Sequence, residues 1–167
     1  MKNIILIGMP GSGKSTVGVL LAKLIGYKFI DSDFLIQDAA DKKLYEIIRD
    51  DGIDAFARLE NKINSEIIAE KTVIATGGSV VYYPEAMKHL KSIGTVVFLY
   101  VQKEELKKRI GDFSKRGVLM NPDKSFDDLY KERMPLYTNY ADITAFLDGN
   151  DLLENAKKIM KVLGIND

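Results

Sequence analysis

A lysine and three glycines near the N-terminus have the types and spacing of a phosphate-binding loop. Residues 8–15 read Gly-Met-Pro-Gly-Ser-Gly-Lys-Ser, after the apolar run 4–7 and before the segment 16–24, whose apolar residues recur at helical spacing. This order suits phosphate, because the backbone N–H groups of such a turn point inward and the following helix adds its free amides and positive dipole end. The motif therefore predicts binding of a nucleoside triphosphate.

The side chains of this loop make the predicted chemistry more specific. Lys14 would reach the β- and γ-phosphates, and the Ser15 hydroxyl would ligate the Mg²⁺ ion that bridges them. The alternative is an ordinary glycine-rich turn, but this pattern arises by chance in only about 1% of chains of this length. The predicted nucleotide contacts in the loop are Gly11, Ser12, Gly13, Lys14, Ser15 and Thr16.

Two carboxylates follow the next predicted strand. Asp31 and Asp33 end the run 28–33, at the edge of the sheet where open α/β folds bind ligands. One could hold Mg²⁺ through water while the other accepts a proton from a substrate hydroxyl, as phosphoryl transfer to an alcohol requires. The alternative for Asp33 is that it caps a helix beginning at Phe34.

Paired glycines and two arginines extend the candidate site. Gly77 and Gly78 end the third strand, where they would let a ligand approach the backbone; the alternative is a plain turn. Arg116 lies in the irregular polar segment 111–124, and Arg133 lies on a predicted helix. Arginines suit a transferring phosphoryl group or a substrate carboxylate because they stay charged and bind both in a bidentate manner. A solvated surface charge is the alternative for each arginine.

Short β-branched runs alternate with amphipathic stretches, and these elements must position the candidate groups. The alternation predicts an α/β fold with a parallel sheet covered by helices on both faces. Strands are expected at 3–8, 28–31, 72–76, 95–101 and 142–147. Helices are expected at 14–25, within 33–51, and at 53–69, 84–92, 104–110, 126–140 and 151–163. Segment 111–124 is predicted to be a mobile loop.

Composition predicts one cytoplasmic enzyme domain over residues 1–167. With 46% hydrophobic residues, the chain is long enough for one core and too short for two ordinary domains. Lys+Arg and Asp+Glu balance at 24 each, so no overall charge favours nucleic acid or an anionic membrane. The absence of cysteine excludes disulfides, thiolate catalysis and cysteine-based zinc sites. The apolar run 4–7 is too short for a secretion signal or membrane span. We expect a monomer with a small-molecule substrate.

These motifs resemble those of the shikimate kinases in both order and spacing, over nearly the whole chain. The most specific parts are Asp-Ser-Asp at 31–33, Ala-Thr-Gly-Gly at 75–78, and the segment 132–142. The resemblance implies a three-layer P-loop kinase fold with a five-stranded sheet in the order 2-3-1-4-5 and a mobile lid at about 111–124. It also implies transfer of the ATP γ-phosphate to the 3-hydroxyl of shikimate, in chorismate and aromatic amino acid biosynthesis.

The resemblance assigns residues on the nucleotide side. Lys14 and Ser15 look like the family's phosphate and Mg²⁺ contacts, and Asp31 resembles the carboxylate that acts on Mg²⁺ through water. Arg116 matches the lid arginine, which would stabilise the moving phosphoryl group together with Lys14. Arg109 resembles the residue that stacks on adenine, although a basic helix end also has a structural explanation.

The resemblance also assigns residues on the acceptor side. Asp33 resembles the aspartate that holds the shikimate hydroxyls and is a candidate base. Gly77 and Gly78 match glycines that line the substrate pocket, and Arg133 matches the arginine that binds the shikimate carboxylate.

The chain departs from the family pattern mainly on one helix. The usual Phe-Arg-x-x-Glu is here Phe-Ala-Arg-Leu-Glu at 56–60, so Ala57 fills the arginine position and Arg58 is rotated by about 100°. Arg58 could curl back into the pocket, Arg133 could hold the carboxylate alone, or the substrate could differ. Ser79 also replaces a third glycine, and the lid reads Arg-Gly-Val-Leu at 116–119 instead of Arg-Pro-Leu-Leu.

Two alternative functions stay open at this stage. A related kinase could phosphorylate gluconate, another small hydroxy acid or a nucleoside monophosphate. The loop could also serve a nucleotide-dependent switch, but the nearest match to the guanine motif Asn-Lys-x-Asp is Asn-Lys-Ile-Asn at 61–64, inside a predicted helix.

Overall fold

A five-stranded parallel sheet organises the computed structural model, which describes residues 2–111, 123–149 and 151–166. The strand order is β2-β3-β1-β4-β5, and every neighbouring pair is parallel. The predicted fold class and strand order are therefore confirmed. The strands are β1 (Asn3–Ile7), β2 (Lys28–Asp31), β3 (Thr72–Ala75), β4 (Gly94–Tyr100) and β5 (Ile143–Phe146).

Helices connect the strands and cover the sheet. The first four are α1 (Lys14–Ile25), α2 (Ser32–Ala40), α3 (Leu44–Asp51) and α4 (Ile53–Glu66). The others are α5 (Pro84–Ile93), α6 (Lys103–Ile110), α7 (Phe126–Tyr140) and α8 (Leu152–Val162). A 3₁₀ turn at Val80–Tyr82 was not predicted, and α4 ends three residues before its predicted limit because the backbone becomes extended at Ile67. Within the described ranges, no helix has both the length and the apolar character needed to cross a membrane.

The central strand determines where the phosphate-binding loop lies. All five residues of β1 are buried, because the strand pairs with β3 on one side and β4 on the other and helices cover both faces. Leu6 aligns with Ala75 of β3, and Thr76 donates to the Leu6 carbonyl through its backbone nitrogen (3.2 Å) and its Oγ1 (2.9 Å). The loop after β1 and the turn after β3 therefore leave the sheet side by side.

A second, smaller cluster of buried side chains supports the helices beside the sheet. Ile36 of α2, Ile47 of α3 and Phe56 of α4 form this cluster, apart from the main core. It fixes α2 against α4, and these two helices carry Asp33 and Glu60 respectively. The positions of both acids thus depend on this packing.

One buried side-chain amide joins three segments at the opposite end of the sheet. Asn3 is 3% exposed; its Nδ2 donates to the Ala69 carbonyl (2.7 Å) and the Ile93 carbonyl (3.0 Å). Its Oδ1 accepts from the Thr72 backbone nitrogen at 3.0 Å. These hydrogen bonds tie the beginning of β1 to the residues that lead into β3 and β4.

We expect Asn3→Ala to lower the free energy of unfolding by about 2–4 kcal/mol, because it leaves buried backbone groups without partners. Urea denaturation followed by circular dichroism measures the effect. Asn139→Ala, at an exposed position, is the matched control and should change the free energy by no more than about 0.5 kcal/mol. Equal effects of the two substitutions would contradict the structural role of Asn3.

Candidate active site

A cavity of about 590 Å³ lies at the edge of the sheet where the strands end. Residues from the phosphate-binding loop, from the turn after β3 and from several helices line it. The sequence-predicted residues in its lining are Gly11, Ser12, Gly13, Lys14, Ser15, Thr16, Asp33, Gly77, Gly78, Arg109 and Arg133. Folding therefore brings most of the predicted nucleotide and acceptor contacts to one site.

The backbone of the phosphate-binding loop has the conformation that its glycines permit. Gly11 and Gly13 have φ angles of 81° and 89°, in the left-handed region that favours glycine. Gly13 is also the N-cap of α1, and no side chain caps this helix. The first amides of α1 therefore remain available to an anion at the positive end of the helix dipole.

Lys14 lies over this loop and is 8% exposed. Its Nζ donates to the Gly8 carbonyl at 2.8 Å and to the Met9 carbonyl at 3.0 Å. Burial lowers the pKa of Lys14 to about 8, although the negative charge of Asp33 partly opposes the shift. A phosphate group would favour the charged form and provide a stronger acceptor than a backbone carbonyl.

Asp31 has two roles at the end of β2. Its Oδ2 accepts a hydrogen bond from the Ser15 hydroxyl at 2.5 Å. Its Oδ1 accepts from the Asp33 backbone nitrogen at 3.0 Å, which makes Asp31 the N-cap of α2. The alternative in which Asp33 caps the helix is therefore wrong, and the Asp33 carboxylate is not used for capping.

The Asp33 carboxylate faces the cavity near Gly77. Its Oδ1 lies 3.2 Å from the position that a Cβ atom on Gly77 would occupy, so only glycine leaves room for it without adjustment. Burial raises the pKa of Asp33 to about 6, Asp31 adds to the increase and Lys14 opposes it. A carboxyl group with a pKa in this range can accept a proton at neutral pH more readily than an ordinary aspartate.

Glu60 is a site residue that sequence reasoning did not select. It lines the cavity, is 1% exposed, and accepts a hydrogen bond from the Ser79 hydroxyl at 2.6 Å. Burial raises its pKa to about 7, whereas the Ser79 hydrogen bond lowers it and Asp33 raises it further. The available signal was its spacing from Phe56: residues four apart share a helix face, and Phe56 belongs to the buried face of α4.

Arg133 is fully buried on α7 and lines the cavity. Its Nε donates to the Tyr82 hydroxyl at 3.2 Å, and the guanidinium carbon lies 5.2 Å from the centre of the Tyr82 ring. Its Nη1 lies 3.0 Å from the position of a Cβ atom on Gly78. Tyr137 donates to the Gly78 carbonyl at 2.5 Å, which fixes the turn against α7.

Comparison with known proteins identifies the family of this chain. The family model described as shikimate kinase matches residues 10–164. The chain belongs to the shikimate kinase family. The shikimate kinase of Clostridium botulinum (strain ATCC 19397 / Type A) is 43% identical over 141 residues, which cover 82% of this chain and 83% of that protein.

Solved structures of the shikimate kinase family have the same architecture. Shikimate kinase from Acinetobacter baumannii in complex with shikimate has a TM-score of 0.90 and 31% identity, covering 98% of this chain and 93% of that chain. The Aquifex aeolicus shikimate kinase has a TM-score of 0.83 and 33% identity, with coverage of 97% and 96%. The likeness therefore extends over nearly the full length of the chains compared.

In this shikimate kinase family member, Arg109 also lines the cavity. Its Nη2 donates to the Gly149 carbonyl at 2.6 Å, and its Nε pairs with Glu105 at 3.0 Å. Gly149 and Leu152 line the cavity beside it. The contacts with Gly149 and Glu105 hold the flat guanidinium group at the cavity, and a planar cation is suited to stacking on a nucleotide base.

Of the predicted site residues that the structure describes, Asp31 and Arg58 are absent from the cavity lining, although Asp31 contacts Ser15 at its edge. Arg58 is exposed on α4 and does not contribute to the cavity lining, so the structure does not show the side chain curling back toward the acceptor end. The reason is helix phase, since Phe56 and Glu60 take the buried face and turn Arg58 outward. Arg116 and most of the predicted lid lie outside the described residues.

We expect Lys14→Met to abolish stabilisation by nucleotide. ADP with Mg²⁺ at about 100 times its Kd should raise the Tm of the native protein by about 5–10 °C, as expected for selective binding to the folded state. The Lys14→Met protein should shift by less than about 1 °C, because the buried cation over the loop is lost. Thermal scans with and without ADP measure this difference, and Lys23→Met, at an exposed position on α1, should keep the native shift. A native shift in Lys14→Met would exclude Lys14 from the nucleotide site.

Proposed function

We propose that this protein transfers the γ-phosphate of ATP to the 3-hydroxyl group of shikimate. The observation that carries the proposal is that Lys14, Asp33 and Arg133 line the same cavity. A phosphate cradle, a carboxylate with a raised pKa and a buried guanidinium group are the parts that transfer to a hydroxy acid requires. The relative from Acinetobacter baumannii, whose structure contains shikimate, supports this choice of acceptor. The reaction belongs to chorismate and aromatic amino acid biosynthesis.

The nucleotide end of the cavity positions the triphosphate. The free amides of α1 and the Lys14 ammonium group contact the phosphate oxygens and stabilise the charge that develops during transfer. Lys14 exchanges its hydrogen bonds to the Gly8 and Met9 carbonyls for stronger ones to phosphate. Arg109 packs on the base, and Arg116 is assigned to the same reaction by the family resemblance.

The donor set at Ser15 and Asp31 fits Mg²⁺. Both side chains offer hard oxygen atoms, and they are already in contact with each other. No group of three or more His, Cys, Asp or Glu suited to a metal occurs in the described part of the chain, so this ion would take most of its ligands from phosphate and water. When bound, Mg²⁺ would neutralise part of the negative charge on the phosphate groups.

The acceptor end orients the hydroxy acid. Asp33 accepts the hydrogen bond of the reacting hydroxyl group and then its proton. Arg133 binds the substrate carboxylate, and its contact with Tyr82 orients the planar guanidinium group. The exposed position of Arg58 favours the interpretation in which Arg133 provides the charge for this carboxylate. Gly77 and Gly78 leave room for the ring of the substrate at the backbone.

A coupled assay of ADP release tests the proposed function. The purified protein, ATP and Mg²⁺ are mixed in turn with shikimate, gluconate and a panel of nucleoside monophosphates. We expect shikimate to give the highest kcat/KM, with one equivalent of a 3-phosphate ester detected by ³¹P NMR. An absence of turnover with shikimate, or a preference for another acceptor, would overturn the proposal.

We expect Asp33→Asn to lower kcat by at least about 100-fold, because the amide cannot accept the proton of the hydroxyl group. The native enzyme should also lose kcat/KM as the pH falls through about 6, where Asp33 becomes protonated. The same assay measures both effects between pH 5 and 8. Asp38→Asn, at an exposed position on α2, is the control and should retain native turnover. Native turnover in the Asp33→Asn variant would show that Asp33 is not the base.

A further inference from the structure

A second carboxyl group lies beside Asp33 at the acceptor end. Glu60 Oε2 lies 3.3 Å, and Asp33 Oδ1 3.2 Å, from the same point, the position that a Cβ atom on Gly77 would occupy. The other Glu60 oxygen, Oε1, accepts the Ser79 hydrogen bond at 2.6 Å. Ser79 therefore holds one oxygen of Glu60 while the other lies over Gly77, next to Asp33.

Several charged groups surround Glu60, but none of those in the described residues forms an ion pair with it. In the described part of the chain, Glu60 forms no ion pair with a lysine or arginine. The Lys14 ammonium group is hydrogen-bonded to loop carbonyls, and Arg133 to Tyr82. The ionisable groups that face Glu60 are Lys14 from α1, Asp33 from α2, Tyr83 after the 3₁₀ turn, and Arg133 and Tyr137 from α7. A buried carboxylate without an ion-pair partner is costly, and protonation removes this cost.

We propose that Glu60, positioned by Ser79, is a specificity-determining residue whose proton controls how strongly the site binds an anionic acceptor. With its proton, Glu60 is neutral and can donate a hydrogen bond to an acceptor hydroxyl group over Gly77. Without its proton, it adds negative charge beside Asp33 and weakens the positive potential of Arg133. The inference rests on the proposed function, because it takes shikimate as the anionic acceptor.

The direction of the pH dependence follows from these charges. Burial raises the pKa of Glu60 to about 7, so its protonation changes within the working range of the protein. A carboxylate acceptor with an ordinary pKa of about 4 stays ionised across this range. Affinity for the acceptor is therefore highest below pH 7 and decreases as the pH rises. By linkage, binding of the acceptor raises the pKa of Glu60 further.

Calorimetric titration with shikimate at pH 6 to 8 tests the inference on the full chain. The native Kd should rise by about fivefold over this range, which corresponds to an increase of about one unit in the pKa of Glu60 on binding. Glu60→Gln is neutral at every pH and similar in shape. Its Kd should vary by less than about threefold, and at pH 8 it should bind more tightly than the native protein. The native pH dependence in Glu60→Gln, or weaker binding than native at pH 8, would overturn the proposal.

A second set of variants tests the role of Ser79. Ser79→Ala removes the hydrogen bond that favours the ionised form, so the midpoint of the pH dependence should move upward by at least about half a pH unit. Ser79→Thr keeps a hydroxyl group and should restore the native midpoint. Ser65→Ala is the control, because the Ser65 hydroxyl lies on α4 and bonds to Asn61. A native midpoint in Ser79→Ala would show that Ser79 does not set the ionisation of Glu60.

The binding data also separate this inference from the proposed function. If the native protein does not bind shikimate even at pH 6, both are overturned. If it binds shikimate with the same pH dependence as Glu60→Gln, only the inference about Glu60 is overturned.

Discussion

The parallel pairing of β1 with β3 is the constraint on which the active site depends. The two hydrogen bonds from Thr76 to the Leu6 carbonyl continue this pairing past the end of β3. They place the turn at Gly78 so close to the phosphate-binding loop that a Cβ atom there would lie 2.9 Å from Pro10 Cδ. The nucleotide cradle and the acceptor pocket are thus adjacent because two neighbouring strands end together.

Removal of water changes the ionisation of three groups in this cavity. Burial lowers the pKa of Lys14 to about 8 and raises those of Asp33 and Glu60 to about 6 and about 7. Each shift favours the uncharged form, because the cavity wall solvates charge less well than water does. The negative phosphates of a bound nucleotide supply charge opposite to that of Lys14, whereas anionic ligands favour the protonated forms of the two carboxyl groups.

Three acidic residues acquire different roles from their surroundings. Asp31 is engaged by the Ser15 hydroxyl and by the first turn of α2, and it remains suited to a metal ion. Asp33, two residues later, faces the cavity with no capping role. Glu60 comes from another helix and is held by Ser79. Under the proposed function, small differences in hydrogen bonding and burial divide metal binding, proton transfer and acceptor binding among these chemically similar side chains.

The sequence by itself determined the phosphate-binding loop, the alternation of strands and helices and, through the family resemblance, the strand order. These features depend on local spacing and on short motifs, which can be recognised directly in the sequence. The tertiary structure alone decided that Asp31 caps α2, that Glu60 lies in the cavity and that Arg58 points away from it. The cap depends on the residue at which α2 begins. The other two outcomes depend on the packing of α2 and α4 around Phe56, and no local pattern fixes the rotation of a helix against its neighbours.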